Sequence, residues 1–306
     1  MLTYSLKRLL GAIPTLLVLV TLAFFMMHAA PGGPFDGERS VAPEVLAKLQ
    51  HTYHLDEPLW RQYLRYLDQL AHGDLGPSFK YADHSVDELI AEGFPVSLKI
   101  GGLAMLLSLL LGCSIGIVAA MRQNSLLDYA VMTLAMTGIS IPNYVIAPLM
   151  ILLFAVTLHW LPAGGWDGGG IHMLMPVLAL AAPQIAYIAR LMRGSMVEVL
   201  HANFIRTARA KGLPERTVIL RHALRPALMP VLSYLGPAAA GIITGSVVIE
   251  QIFAIPGIGR YFVQAALNRD YTLVMGVVIF YGVLVILFNF AVDVLYGALD
   301  PRARPQ

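Results

Sequence analysis

One short pattern in the sequence could carry nucleophilic chemistry. Gly-Cys-Ser-Ile-Gly, at 112–116, matches the G-x-S-x-G arrangement in which a sharp strand-to-helix turn exposes a serine hydroxyl. Here Ser114 lies inside an uncharged apolar run that contains no candidate turn. Gly112 and Gly116 also form a small-x-x-x-small pair, which lets membrane helices approach closely. We therefore favour a role of these residues in helix packing. The weaker alternative is an intramembrane serine protease in which His28 acts as a base, although no acidic residue accompanies it.

Other signatures of catalysis or metal binding are absent from the sequence. No Gly-Lys pair occurs, so the chain lacks the phosphate-binding loop G-x-x-x-x-G-K-[ST], and it has no H-E-x-x-H. Its single cysteine, Cys113, excludes an internal disulfide and a cysteine-based zinc site. We expect no catalytic residue, no metal site and no cofactor bound by this chain.

A basic stretch, FIRTARAKGLPERTVILRHALRPALMP at 204–230, raises a different possibility. Between Arg190 and Arg225 there are eight basic and two acidic residues. Gly212 is suited to end one helix and Pro214 to begin the next, with Glu215 in the first turn. A polybasic segment lying on anionic lipid, as in a lipid-anchored scaffold, would need only the charge. The small residues and the Gly-Pro corner favour mechanical contact with a partner.

The elements that hold this stretch are membrane spans. Hydrophobic residues make up 57% of the 306 residues and charged residues only 13%, as in a polytopic membrane protein. The third apolar run is long enough to tilt, or to kink at Pro142 and Pro148. We predict an all-α protein with six transmembrane helices, at 9–30, 98–121, 129–157, 173–191, 228–250 and 271–295.

The Lys and Arg distribution predicts the orientation. With the N-terminus inside, six of the eight outside basic residues fall in or just after one long loop, where the positive-inside rule gives them little weight. Both termini are then cytoplasmic (N-in/C-in), at 1–8 and 296–306. The basic loop at 192–227 is also cytoplasmic, and the segments 31–97 and 251–270 are extracytoplasmic.

The long loop at 31–97 has helical periodicity and predicts a small helical extracytoplasmic insertion, or lid. One apolar stripe on this lid is expected to pack on the spans, although docking of a soluble partner is an alternative. Its members are Trp60, Tyr63, Leu64, Leu67 and Leu70.

Polar and small residues within the spans are candidates for a solute path. Intramembrane polar groups face a bundle interior or a water-filled path, and Asn143 follows a proline that frees backbone carbonyls. The fifth span is rich in small residues, which suit either close packing or an unselective path. The candidate path residues are Asn143, Gly236, Pro237, Gly241, Gly245 and Ser246.

The basic loop also carries a family resemblance. FIRTARAKGLPERTVILRHALRPALMPVL resembles the coupling loop of ABC-importer permeases in the peptide/nickel branch. LKRLLGAIPTLLVLVTLAFFMMHAAPGGPF, QLAHGDLGPSFKY and SVVIEQIFAIPGIGRYFVQAALNRDY extend the likeness over nearly the whole chain. The short link LHWLPAGGWDGGGIHM lacks the insertion expected in dipeptide permeases, which favours the oligopeptide type.

The resemblance implies a type I ABC-importer permease fold and the transport of oligopeptides across the inner membrane. Dipeptide, glutathione or a nickel chelate are alternative substrates. The implied partners are a homologous second permease, two cytoplasmic ATPase subunits that hold ATP and Mg²⁺, and an extracytoplasmic peptide-binding protein, with no nucleic acid. A chain without an ATP site must obtain its driving force from such ATPases.

The resemblance also implies which residues contact the ATPase. Many importers have Glu-Ala-Ala before the spaced glycine, whereas this chain has Arg206-Thr207-Ala208, so the implied role is firmer after Thr207. The expected contact residues are Ala208, Arg209, Ala210, Lys211, Gly212 and Leu213.

Overall fold

The computed structural model is built from helices. It describes residues 2–30, 32–35, 43–81, 83–167 and 170–299, with side chains described for all of these except 2–9, 43, 245 and 296–299. Within those ranges, extended pairing is limited to an isolated bridge between Pro77 and Ser85. The expected all-α class is confirmed. The end of the predicted tail, 300–306, and parts of the lid lie outside the described residues.

The helices follow in a simple order along the chain. The N-terminal part contains α1 (Leu2–Ala29), α2 (Pro43–Thr52), α3 (Leu59–Ala71) and α4 (Val86–Met121). The middle contains α5 (Leu126–Ser140), α6 (Asn143–Met150), a π-helical continuation (Ile151–Thr157), a 3₁₀ turn (Gly170–Met173) and α7 (Leu174–Leu200). The remainder contains α8 (Asn203–Ala210), α9 (Glu215–Thr217), a π-helical segment (Val218–Ala223), α10 (Leu224–Ala227), α11 (Met229–Ile252), α12 (Ile258–Asn268) and α13 (Tyr271–Leu299).

Five helices of the described chain are long and apolar enough to cross a membrane, and a bent helix pair raises the number to six. The five lie at Leu10–Ala29, Val86–Met121, Gly170–Leu200, Met229–Ile252 and Tyr271–Leu295. Which side of the membrane each end faces stays a prediction.

The predicted third span, 129–157, is a broken helix. Leu126–Ser140 and Asn143–Thr157 meet at an angle of 101°. A proline would clash with a preceding residue in helical conformation. Ile141, which precedes Pro142, is accordingly extended, with φ −92° and ψ 118°. The second proline, Pro148, lies inside α6 without ending it. The break therefore occurs at the first of the two prolines.

Several predicted boundaries differ from the helix ends, two of them by nine residues or more. The second span was placed at 98–121, but α4 begins at Val86 because Val86, Leu89 and Ile90 bury an apolar face ahead of the membrane-spanning part. The fourth was placed at 173–191, whereas α7 continues to Leu200, so the basic loop leaves the helix at about the next residue. The predicted loop at 251–270 contains α12.

The chain divides into two compact units, of which the first comprises Met1–Ser5, Ser97–Ile255 and Val285–Gln306. Its most buried helix is α7, which packs against α5, α6, α10 and α11. Close approach to α4 depends on glycine. A Cβ on Gly112 would lie 2.8 Å from Ile188, and one on Gly116 would lie 2.6 Å from the Ala189 carbonyl oxygen.

The second unit comprises Leu6–Val96 and Pro256–Leu284. Here Asp270 caps α13, since its Oδ1 accepts from the Leu273 amide at 3.1 Å. Its Oδ2 accepts from the Ser78 hydroxyl at 2.5 Å and from the Lys80 amide at 3.3 Å. The fully buried carboxylate therefore attaches the loop before α4 to the start of the last helix.

The predicted lid stripe divides into two sets of residues. Tyr63, Leu67 and Leu70 pack in a cluster with Val20, Phe24, Tyr66 and Met275, as expected for packing on the spans. Trp60 and Leu64 remain exposed and do not belong to that cluster.

We predict that Gly116→Ala lowers the melting temperature of the purified protein. The added methyl group meets backbone and side-chain atoms of α7, and overpacking of this kind costs about 1–3 kcal/mol. Gly102→Ala on the same helix is the matched control, because nothing lies within 4 Å of its Cβ position. Equal melting temperatures for the two variants would contradict the proposed close contact.

Candidate functional site

The basic stretch forms a corner around Gly212. The backbone there has φ +76°, a conformation that glycine adopts at no steric cost. The Gly212 amide donates to the Arg209 carbonyl at 2.9 Å, which closes the end of α8. After Pro214 the chain turns into α9. The expected helix, corner and second helix are all present.

An ion pair spans this corner. Arg209 Nη2 lies 2.6 Å from Glu215 Oε1, and Nε donates to Oε2 at 3.2 Å, so the contact is bidentate. Arg209 lowers the pKa of the Glu215 carboxyl below its usual value. Any stability that the pair adds is fully present at pH values above the ordinary glutamate pKa. It is lost as the pH falls through the lowered pKa of Glu215. Both side chains are exposed, so solvent screens the pair.

The corner rests on an apolar base within the first unit. Ile205 is fully buried on α8, and it shares a cluster with Met196 on α7 and with Val218 and Ala223 beyond the corner. These contacts join the end of α7, the α8 helix and the segment leading to α11. The base therefore fixes the direction in which the corner projects.

The structure divides the expected contact residues. Five of the six are exposed, namely Arg209, Ala210, Lys211, Gly212 and Leu213. Ala208 is only 5% exposed and belongs to the apolar base. The period of α8 turns it inward together with Ile205, and the contact role expected for these six residues stays a prediction.

Sequence reasoning missed two exposed apolar residues near the corner. Phe204 is 48% exposed and Leu220 is 52% exposed, in segments that otherwise carry basic residues. Single exposed apolar side chains are common, so these two are candidates for contact only because they lie on either side of the corner. In the sequence, Phe204 and Leu220 are visible only as large apolar residues next to other apolar residues. The structure was needed to show which members of each pair are buried and which are exposed.

Sequence reasoning also missed a buried ion pair next to the base. Arg193 on α7 contacts Asp128 on α5, with Nη2–Oδ2 at 2.6 Å and Nε–Oδ1 at 3.1 Å. The Asp128 side chain is only 1% exposed. It also accepts from the Asn124 amide, while its own amide donates to the N-cap Ser125. The pattern S-x-x-D at the start of α5 indicates a helix cap in the sequence. The pairing of this aspartate with the distant Arg193 could not be predicted from that pattern.

A second candidate surface lies on the exposed side of α7 and α11. Tyr187 and Tyr234 stack with ring centroids 4.1 Å apart. The Tyr234 hydroxyl donates to Gln184 Oε1 at 2.8 Å. The guanidinium of Arg190 lies 4.9 Å from the Tyr187 ring and is exposed. Polar groups at the depth of a span are typical of a solute path.

The candidate path residues of α11 fall on different faces. Pro237 and Gly241 are exposed on the face that also carries Thr244. Gly236 is buried against Asn289, and Ser246 is 2% exposed and donates to the Ile243 carbonyl. Both residues are packed within this chain, and their assignment to the path stays a prediction. The surroundings of the Gly245 position are not described.

Asn143, the remaining path candidate, begins α6 directly after the break at Pro142. It is half-buried. Its assignment to the path stays a prediction.

The structure offers no support for serine protease chemistry. Ser114 lies in the interior of α4, a continuous helix, and not on the strand-to-helix turn that exposes a nucleophile. The small-residue interpretation of Gly112 and Gly116 is the one that the contacts with α7 support. Across the described ranges, no group of three His, Cys, Asp or Glu side chains is arranged to hold a metal ion.

The family of this chain is established by sequence. A family model described as "Binding-protein-dependent transport system inner membrane component" matches residues 112–305, and its N-terminal counterpart matches residues 1–100. The chain belongs to this family of ABC-importer permeases, and it is a multi-pass inner-membrane protein. The resemblance seen in the sequence is thereby confirmed.

Individual relatives sharpen the comparison. The chain is 60% identical over 305 residues to the oligopeptide transport system permease protein OppB of Escherichia coli K12, covering 99% of this chain and 100% of the relative. It is 48% identical to the dipeptide transport system permease protein DppB of Bacillus subtilis, covering 98% and 97%.

Solved structures support the fold. The MetNI methionine ABC transporter in an inward-facing conformation matches with a TM-score of 0.57 at 18% identity, covering 69% of this chain and 96% of that one. An amino acid ABC transporter gives a TM-score of 0.56 at 18% identity, covering 69% and 94%. The fold is thus that of type I importer permeases.

We predict that Asp128→Asn destabilises the protein by about 1.5–3 kcal/mol, because it removes the charge partner of Arg193, whose side chain is only 26% exposed. The measurement is the melting temperature in detergent. Glu198→Gln is the matched control, since Glu198 is an exposed carboxylate of α7, one and a half turns beyond Arg193. A control variant as unstable as Asp128→Asn would show that the buried pair has no special role.

Proposed function

We propose that this chain is a transmembrane permease subunit of an ATP-driven importer of oligopeptides. In this proposal, the loop at 204–225 couples transport to the ATPases. The observation that carries the proposal is the corner around Gly212, which combines an exposed tip with a buried apolar base. A segment that only rested on lipid would not need such a base.

The corner suits the transmission of movement. Force applied at the tip reaches α7 and α11 through the cluster that contains Ile205 and Val218. The Arg209–Glu215 contact links the two sides of the tip. A partner that binds the tip differently in its ATP-bound and ATP-free states would therefore bias the arrangement of the spans.

ATP hydrolysis is assigned to partner subunits. The sequence has no phosphate-binding loop, so we propose that two cytoplasmic ATPases hold ATP and Mg²⁺. A homologous second permease and an extracytoplasmic peptide-binding protein complete the proposed assembly. Membership in a family of binding-protein-dependent systems supports the general form of this assembly.

The proposed substrate is an oligopeptide. Support comes from the higher identity to an oligopeptide permease, 60%, than to a dipeptide permease, 48%. The exposed face of α11 presents Pro237, Gly241 and Thr244, which offer few hydrogen bonds to a substrate side chain. A site built on such bonds rejects ligands that lack them, so a plain face suits peptides of varied sequence.

We expect Gly212→Val to abolish most peptide-stimulated ATP hydrolysis in the reconstituted transporter. A branched side chain resists the left-handed conformation, at about 1–2 kcal/mol, and projects from the tip where a partner would approach. Nothing in this chain lies within 4 Å of the Cβ position, so folding should survive.

Two variants control this experiment. Gly73→Val imposes the same backbone strain, since Gly73 has φ +78° and open space around it, but lies outside the corner. It should retain stimulation. Gly212→Asn should be milder because asparagine tolerates this conformation. Full stimulation of Gly212→Val in an assembled complex would refute the coupling role.

For the path, we expect Gly241→Leu to reduce peptide uptake by vesicles while basal ATP hydrolysis persists. A leucine there would extend over the exposed face of α11, beside Gln184. Gly102→Leu serves as the control on α4, where the added side chain meets open space. Co-purification of the subunits establishes assembly. Unchanged uptake by an assembled Gly241→Leu transporter would exclude this face from the path.

A further inference from the structure

The lid helix α3 has an apolar surface wider than its protein contact. Successive residues are separated by about 100° around a helix. On this projection, the large apolar side chains occupy an arc of roughly 160°, in the order Tyr66, Tyr63, Leu67, Trp60 and Leu64. The remaining arc is polar, with Asp68, Arg61, Arg65, Gln69 and Gln62.

Only one side of the apolar arc is covered by this chain. Tyr66 is 6% exposed and lies in the cluster with Val20, Phe24 and Met275 of α1 and α13. The other side, formed by Trp60 and Leu64, is 58% and 55% exposed. Two large apolar side chains thus extend beyond the surface that α1 and α13 cover.

Contacts with α1 indicate which side of α3 faces the middle of that membrane-spanning helix. Gln62 reaches His28, with Oε1 3.3 Å from Nε2, one residue before the end of α1 at Ala29. Tyr63 reaches Thr21, with the two hydroxyl oxygens 2.7 Å apart. Thr21 lies eight residues before Ala29, or about 12 Å at the helical rise of 1.5 Å per residue.

The direction from Gln62 to Tyr63 around α3 is therefore the direction into the bilayer. Continuing past Tyr63 in the same sense leads to Trp60 and then Leu64. These two side chains thus point toward the hydrocarbon, and Gln62 and Gln69 lie on the opposite side. With the edge of the hydrocarbon taken at Ala29, where α1 ends, one leaflet of a ~30 Å core extends about 15 Å and includes the level of Thr21.

The neighbouring surface of α1 is also apolar. Phe25 has its ring centroid 5.6 Å from that of Tyr63 and is 46% exposed. Leu22, one turn earlier, is 57% exposed. The exposed side of α3 therefore continues the outward face of a membrane span.

A positive charge at the margin of the apolar arc fits a lipid headgroup region. The Arg61 guanidinium lies 5.1 Å from the Trp60 ring centroid, whereas Arg65, one turn later, pairs with Glu57, with Nη2 and Oε1 2.6 Å apart. Tryptophan is enriched at membrane interfaces, and arginine extends toward the phosphates.

We propose that α3 is an interfacial helix that inserts Trp60 and Leu64 into the leaflet surrounding the Ala29 end of α1. Under the predicted orientation this is the outer leaflet. The partner of this surface is the bilayer itself. The helix thereby links the lid to the membrane surface as well as to α1 and α13.

The test is quenching of tryptophan fluorescence by brominated lipid. The full-length chain carries Trp160→Phe and Trp166→Phe, so that Trp60 alone reports, and is placed in phosphatidylcholine nanodiscs with or without bromine on the acyl chains. Trp60 should lose most of its emission in brominated lipid. A control chain with Trp60→Phe and Gln69→Trp, which moves the reporter to the polar side, should lose little.

A second reporter keeps the proposal testable in the assembled transporter. With Cys113→Ala, a single Leu64→Cys carries an environment-sensitive dye, so tryptophans of other subunits do not interfere. Quenching by brominated lipid in the full complex supports insertion. Absence of quenching there, or equal quenching at Trp60 and Gln69→Trp, overturns the proposal in favour of a protein partner or solvent.

Discussion

The close approach of α4 to α7 is the contact on which the first unit depends. Gly112 and Gly116 leave no room for a methyl group between the two helices. In a membrane, where lipid tails are as apolar as the side chains, helices associate through such tight packing. With α7 held in this way, its other faces are available to organise α5, α6 and α11.

The same helix connects the two candidate functional surfaces. Near its end, Arg193 joins Asp128 and Met196 enters the base beneath the corner. Further back, Tyr187 stacks on Tyr234 of α11 beside Gln184. A movement imposed at the corner would therefore shift α7, which packs against α11, the helix that carries the proposed path face. The coupling we propose requires a stiff connection of this kind, because packed interfaces transmit displacement with little compliance.

The second unit combines polar and apolar attachments to the spans. Asp270 fixes the loop before α4 to the start of α13, and Tyr63 reaches α1 through Thr21. The interfacial role that we propose for α3 adds the bilayer as a third support.

The sequence by itself determined the class of this protein. Long apolar runs require helices, since every backbone polar group in lipid must be paired within the chain, and the glycine and prolines at 212–230 mark a corner between helices. These are local properties, and so are the break at Pro142 and the small-residue pair at Gly112 and Gly116. Family membership followed from the same local patterns.

Only the tertiary structure decided which face of each element is covered. Ala208 and Ala210 are identical residues two positions apart, yet one supports the corner and the other is exposed. Gly236 and Gly241 likewise differ in burial, and Trp60 separates from Tyr63 on the same helix. Asp128 and Arg193 are 65 positions apart. Burial and long-range pairing arise from contacts between distant segments, and periodicity along one helix cannot specify which neighbour covers it.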